Sequence, residues 1–279
     1  MLTLGMHLHL PVMVADDRPP ANAARDARAL ARLLERVVIE HLSGSVARSP
    51  YRSFLIQAGE DMLELHFGTA RSGTYTVMCL GAHCDDLEIG CSGTLMKLSA
   101  SGMPLNVAWV VFSADDERER EARRSAEVVL GKVTCKEISI RRFPDGLFPS
   151  VQAEIKEYFE TLKGHVCPDI IFTHHVRDLH QDHRVIGELT WNTFRDHLII
   201  EYEIPKYDGD LGSPNVFVRL DESVCRAKVD NILASFRSQE GKRWFTRDLF
   251  LSLMRLRGME ANAASRYAEG FYSRKLVVG

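Results

Sequence analysis

From Tyr75 onward the chain alternates short apolar runs with helix-length stretches, and no other feature constrains its fold as much. Residues 75–80, 105–112, 135–140 and 169–173 read as strands. Between them, 91–100, 116–130 and 151–163 read as helices, the first two closed by Gly102 and Gly131, and another is expected from about 183 to 197. Apolar strands joined by helices predict a mostly parallel sheet covered on both faces, with right-handed crossovers: a Rossmann-like α/β fold. After residue 200 the alternation weakens. Strands are expected at 201–204, 215–220 and 271–278, and helices at 222–237 and 244–257.

Residues 1–74 differ from this pattern and are read as an N-terminal appendage to the 75–279 domain. Residues 21–42 carry Leu30, Leu33, Leu34, Val37 and Val38 at helical spacing, and 51–58 and 62–68 suit two strands. No chemical motif occurs there, so packing against the core or a second subunit is the expected role, which leaves a homo-oligomer open.

The formal net charge of −3 offers no basic excess for a nucleic-acid partner. The six cysteines are scattered without a C-x-x-C pair, which points to neither a disulfide framework nor a Cys-rich zinc finger. A reducing cytoplasm suits them. No apolar run approaches the roughly 18 residues a membrane span needs, and the apolar start lacks the basic region and cleavage site of a signal peptide.

Two polar clusters follow apolar strands, where open α/β sheets build their sites. The first is Gly81-Ala-His-Cys-Asp-Asp-Leu-Glu-Ile-Gly90, and the second is Thr173-His-His-Val-Arg-Asp-Leu-His-Gln-Asp-His-Arg184. Their residue types suit a hydrolytic metal site. A catalytic zinc takes three protein ligands and keeps one position for water. His83, Asp86 and His183 would supply two imidazoles and a carboxylate. Asp85 would serve as the base, a protonated His180 would help stabilise an oxyanion, and Asp182 would orient His180. Asp85 would then return its proton to the leaving amine. Taken singly, each cluster has a plainer explanation. Asp85-Asp86 would cap a helix and face its dipole, and a histidine at a strand end is often structural. His174 and His175 are read as supporting or structural residues, and the remaining histidines receive no role.

The two clusters resemble the signature motifs of the PIG-L/LmbE-like deacetylase family. The family's A-H-P-D-D-x-E is matched by Ala82-His-Cys-Asp-Asp-Leu-Glu88, and its H-x-D-H by His180-Gln-Asp-His183. The likeness runs from about Val77 to the C-terminus, through Arg118–Arg124 and the tail Arg266-Tyr-Ala-Glu-Gly-Phe-Tyr272, and leaves out the first ~75 residues. It implies a zinc-dependent enzyme that removes acetyl from N-acetylglucosamine-type groups. By motif position, it implies His83, Asp86 and His183 as ligands, Asp85 as base, and His180, backed by Asp182, as oxyanion stabiliser. Iron, nickel or cobalt would suit the same donors. Cys84 departs from the family by replacing a proline that would stiffen the turn. Its thiol, pointing opposite to His83, is not expected to reach the same ion.

The expected substrate is a small N-acylated sugar or glycoconjugate. Arg118 is the chosen substrate contact, with Arg120 and Arg123 as rivals and a helix-surface ion pair as the plain alternative. Residues 203–215, rich in turn formers, suit the pocket mouth. An amidase for non-sugar N-acyl compounds would use the same chemistry. A non-catalytic nucleotide-binding module would want G-x-G-x-x-G after the first strand, but Gly90-Cys-Ser-Gly93 matches it poorly and the acidic pair would repel a pyrophosphate.

Overall fold

The computed structural model describes residues 64–66, 70, 72–133 and 135–277. The helix expected at 21–42 and the strand at 51–58 lie outside these residues, as does most of the strand at 62–68, whose described residues 64–66 form no regular element. Thr69–Gly279 forms one compact unit. Its strands are β1 (Tyr75–Gly81), β2 (Leu105–Val111), β3 (Cys135–Ile140), β4 (Ile170–His174), β5 (Leu198–Tyr202), β6 (Val216–Arg219) and β7 (Ala268–Tyr272). They make one seven-stranded sheet in the order β3-β2-β1-β4-β5-β7-β6. The first five pair in parallel, while β7 pairs antiparallel with both β5 and β6.

The helices are α1 (Asp86–Ala100), α2 (Asp116–Val129), α3 (Gln152–His165), α4 (Gln181–Thr193), α5 (Glu222–Ser235) and α6 (Arg247–Glu260). Side chains alternate across each strand and so feed two cores. Val77, Cys79, Val107, Trp109 and Phe172 face one core, with Leu95 of α1, Ala126 of α2, Ile232 of α5 and Met254 of α6. Met78, Leu80, Val110 and Ile171 face the other, with Phe159 of α3 and Ile186 of α4. Burial on both faces explains why the central strands read as continuous apolar runs.

The strand order reverses at β1, which has β2 on one side and β4 on the other. Ligands bind at such a switch point, beyond the carboxyl ends of the strands. Both polar clusters emerge there. Gly90 and Gly93 lie inside α1 rather than in a phosphate loop. A Cβ on Gly90 would stand 2.2 Å from the Tyr202 ring, so this glycine lets β5 pack against the helix. Among the described residues no helix is long and apolar enough to cross a membrane.

Several element bounds differ from the expectations. The first helix begins at Asp86 rather than 91, and the last at Arg247 rather than 244. There the Thr246 hydroxyl caps the helix by accepting from the Leu249 N–H. The last strand is Ala268–Tyr272, not 271–278.

Candidate functional site

The turn after β1 carries His83, Asp85 and Asp86 into the first turn of α1, and the loop after β4 carries Asp178 and His180 to α4, which presents Asp182 and His183. His83, Asp86 and His183 are buried. His83 Nδ1 lies 3.2 Å from His183 Nε2. Asp86 Oδ2 is 3.4 Å from His83 Nδ1, and Asp86 Oδ1 is 3.5 Å from His183 Nε2. Donors about 2.0–2.1 Å from a tetrahedral zinc stand roughly 3.3–3.4 Å from one another. The two imidazole nitrogens fall at that spacing, and the Asp86 carboxylate spans them, with one oxygen toward each ring.

The outer nitrogens strengthen that fit. His183 Nδ1 is 2.9 Å from Asp178 Oδ2. His83 Nε2 is 3.2 Å from Asp182 Oδ2 and 3.1 Å from Asp145 Oδ1. Carboxylates accept only, so the network assigns a proton to each of these outer nitrogens. The neutral rings then point two lone pairs at each other across 3.2 Å. That arrangement is unfavourable unless a cation or a proton sits between them. A carboxylate behind each ligating imidazole is also the usual support for a metal-bound histidine.

The charges agree. Burial opposes protonation of His83, but the carboxylates of Asp86, Asp145 and Asp182 outweigh it and hold its pKa well above the ordinary value. His183 is pushed down to about 4 by burial and by the neighbouring His174. Burial also opposes ionisation of Asp86, yet His183, His174 and His83 together hold its carboxyl well below the usual range. The pocket thus favours one positive charge among these three side chains. A bound ion would replace the His83 proton.

Among the described residues, the sets of three donors whose ligand atoms lie within 4.8 Å of one another are His83 with His180 and His183, Asp86 with His174 and His183, and His83 with Asp145 and Asp182; each of the three expected ligands belongs to at least one set, but the three do not form a set of their own. His174 Nε2 lies 3.0 Å from the Ala82 N and 3.1 Å from Asp86 Oδ2, and His180 Nδ1 accepts from the Asp182 N–H at 3.3 Å. His174 stacks on His183 with ring centroids 3.9 Å apart, so it orients that ring.

Asp85 separates the capping explanation from the catalytic one. It precedes α1, yet its side chain makes no capping bond. Instead Oδ1 receives Arg118 Nη2 at 2.9 Å. Burial lifts the Asp85 carboxyl above its ordinary pKa, Arg118 pulls it partly back, and the Asp86 charge adds to the rise. Arg118 Nε is buried without a partner among the described residues. Neighbouring Arg123 pairs with Glu119 one turn earlier on α2, as the plain reading of a helix arginine expects.

His180 and Asp182 are arranged differently from expectation. Their contact runs through the backbone N–H of Asp182, and the Asp182 carboxylate receives Gly146 N at 2.7 Å, Phe148 N at 3.1 Å and His83 Nε2. Burial and His83 lower the His180 pKa. The ring is therefore neutral near pH 7, with Nδ1 accepting and Nε2 carrying the proton. Cys84 takes no place among the donors. Its fully buried Sγ–H donates to Ser113 O at 3.4 Å.

Asp145 and Asp178 complete the cluster, although neither received a role from the sequence. Asp145 sits on a loop outside both motifs. Asp178 lay inside the second cluster, five residues before His183, and that spacing was its only signal. His83, Asp85, Asp86, His180 and His183 line an open cleft of about 220 Å³ together with Ile204, Lys206, Gln239, Lys242 and Trp244.

Residues 78–194 match the model of the PIG-L family, described as GlcNAc-PI de-N-acetylase, and both motifs lie inside that stretch. The uncharacterized deacetylase YaiS of Escherichia coli K12 is 26% identical over 142 residues, covering 46% of this chain and 74% of that one. Among solved structures, the N,N'-diacetylchitobiose deacetylase of Pyrococcus horikoshii is 20% identical with a TM-score of 0.53, over 71% of this chain and 83% of its own. GalB, the 4-carboxy-2-hydroxymuconate hydratase of Pseudomonas putida, is 15% identical with a TM-score of 0.56, over 74% of this chain and 98% of its own. These two likenesses show the fold. Since it carries a hydratase as well as a deacetylase, the reaction has to be argued from the residues of the site.

Proposed function

We propose that this chain, which carries the PIG-L family segment at residues 78–194, is a metal-dependent N-deacetylase acting on an amino sugar or sugar conjugate. The observation that carries this reading is the facing pair of ring nitrogens on His83 and His183, 3.2 Å apart, with an Asp86 oxygen 3.4–3.5 Å from each. These three side chains would hold the ion. Zinc suits two imidazoles and a carboxylate, and iron, nickel or cobalt would accept the same set. When bound, it supplies Lewis acidity and lowers the pKa of water to about 7.

The remaining work falls to the chain's own groups. Asp85 takes a proton from the attacking water. Its raised pKa makes it a stronger base than an exposed aspartate, and a competent acid once protonated. Arg118, 2.9 Å from Asp85, fixes the carboxylate's orientation, and it lines the cleft that the substrate would enter. His180, on the cleft wall, donates Nε2–H to the oxyanion of the tetrahedral intermediate, in the neutral form that its lowered pKa favours. Asp182 steadies His83. The amide C–N bond then breaks, the water oxygen stays on the acyl carbon as acetate, and Asp85 returns its proton to the leaving nitrogen.

The test is amine release from N-acetylated amino sugars, set beside N-acetylated amino acids. Release from the sugars, abolished by a chelator and restored by added zinc, is the expected result. Turnover of amino acids alone would replace the sugar reading with that of a general amidase.

A further inference from the structure

Three cationic side chains other than histidine line the cleft, and they are not in the same state. Arg118 is paired with Asp85 at 2.9 Å. Lys206 is paired with Asp178 at 2.8 Å and Asp210 at 2.7 Å. Among the described residues, Lys242 meets no carboxylate. Its Nζ donates to the neutral side-chain oxygen of Gln239 at 2.6 Å and stands 5.8 Å from the centroid of the Trp244 ring.

Lys242 is exposed, yet it is held by a relay that begins in the core. The buried Glu121 carboxylate of α2 accepts from Ser238 N at 2.9 Å and from Ser238 Oγ at 2.6 Å. Ser238 Oγ in turn accepts from Gln239 Nε2 at 3.0 Å. Gln239 is itself buried, and this bond turns its amide oxygen toward Lys242. Trp244 is anchored edge-on against Phe245 and Phe250. An unrestrained surface lysine loses rotamer entropy on binding an anion, and a lysine already held loses less.

We propose that Lys242, steadied by Gln239 beside the Trp244 ring, forms a subsite for an anionic oxygen group, phosphate or carboxylate, carried by the substrate outside its N-acyl group. This rests on the deacetylase reading and narrows its substrate class to acidic amino-sugar conjugates. A hydrogen bond to a charged group contributes about 1.5–3 kcal/mol, equivalent to roughly tenfold or more in affinity.

The test compares kcat/KM for amine release from N-acetylglucosamine, its 1-phosphate, its 6-phosphate and N-acetylmuramic acid. Calorimetric binding of the same four sugars runs in parallel. The wild-type protein should prefer at least one acidic sugar over the neutral one by about tenfold. Lys242→Met should lose most of that preference and Lys242→Arg should keep it. The phosphate and carboxylate arms show which anion is taken. Equal handling of neutral and acidic sugars by the wild type, or an unchanged ratio in Lys242→Met, overturns the subsite. If no sugar releases amine, the deacetylase reading fails, and the binding ratios still decide whether Lys242 selects anions.

Discussion

The two walls of the cleft are built on opposite principles. The wall at the ends of β1 and β4 is buried and interlocked: His83, Asp86 and His183 are each held by at least one further side chain. The other wall, with Lys206, Gln239, Lys242 and Trp244, comes from loops and a short 3-10 turn (Arg237–Gln239) beyond residue 200. Donors must be held to within tenths of an ångström to share an ion, which suits strand ends and first helical turns. A surface that selects among substrates can sit on loops, where one side chain changes without disturbing the sheet. On the proposed reading, the difference teaches that reaction type and substrate choice fall to separate parts of this chain.

Substitutions sharpen or break this contrast in a graded order. His83→Ala and His183→Ala should each abolish amine release by removing a ligand, measured at saturating zinc. Asp85→Ala should keep its metal and lose about 10²–10⁴-fold in kcat, because only the proton transfer is removed. A fully active Asp85→Ala would place the base elsewhere. Asp178→Ala removes the carboxylate behind His183 and should weaken metal affinity about 10–100-fold in a competitive chelator titration. If the affinity is unchanged, the interlocked wall is not what holds the ligands.

The smallest expected effect is chemical rather than catalytic. Burial lifts the thiol of Cys84 well above its ordinary pKa and that of Cys225 up to about 12, whereas Cys135 and Cys167 are exposed. Iodoacetamide near neutral pH should therefore label the folded protein at Cys135 and Cys167 and leave Cys84 untouched, as mass spectrometry of the digest would show. Rapid labelling of Cys84 would mean that the turn between His83 and Asp85 opens.

The interlocked wall was legible in the sequence because its rules are local. Apolar runs announce buried strands, and polar residues that follow two of them must meet at one edge of a parallel sheet. The grouping of His83, Asp86 and His183 follows from that register. The partners of Asp182 did not, because Gly146 and Phe148 reach its carboxylate from a loop whose path depends on tertiary packing. Asp145 belongs to the same loop and was missed for the same reason. The loop wall was least legible. Trp244 read as the start of a helix, although Thr246 was the available capping signal. β7 was misplaced because Glu269 looks wrong in a strand interior. Its charge is compensated by Lys228 at 2.6 Å and by the Gly93 and Thr94 backbone N–H groups, partners that no local pattern reveals.

The central claim is that residues from two distant turns close around one cation. It is tested most directly by the metal content of the wild-type protein and of His183→Ala, each loaded with zinc and dialysed. The account predicts about one equivalent per wild-type chain and essentially none in the variant. Equal content in the two proteins, or no retained metal in either, would contradict it.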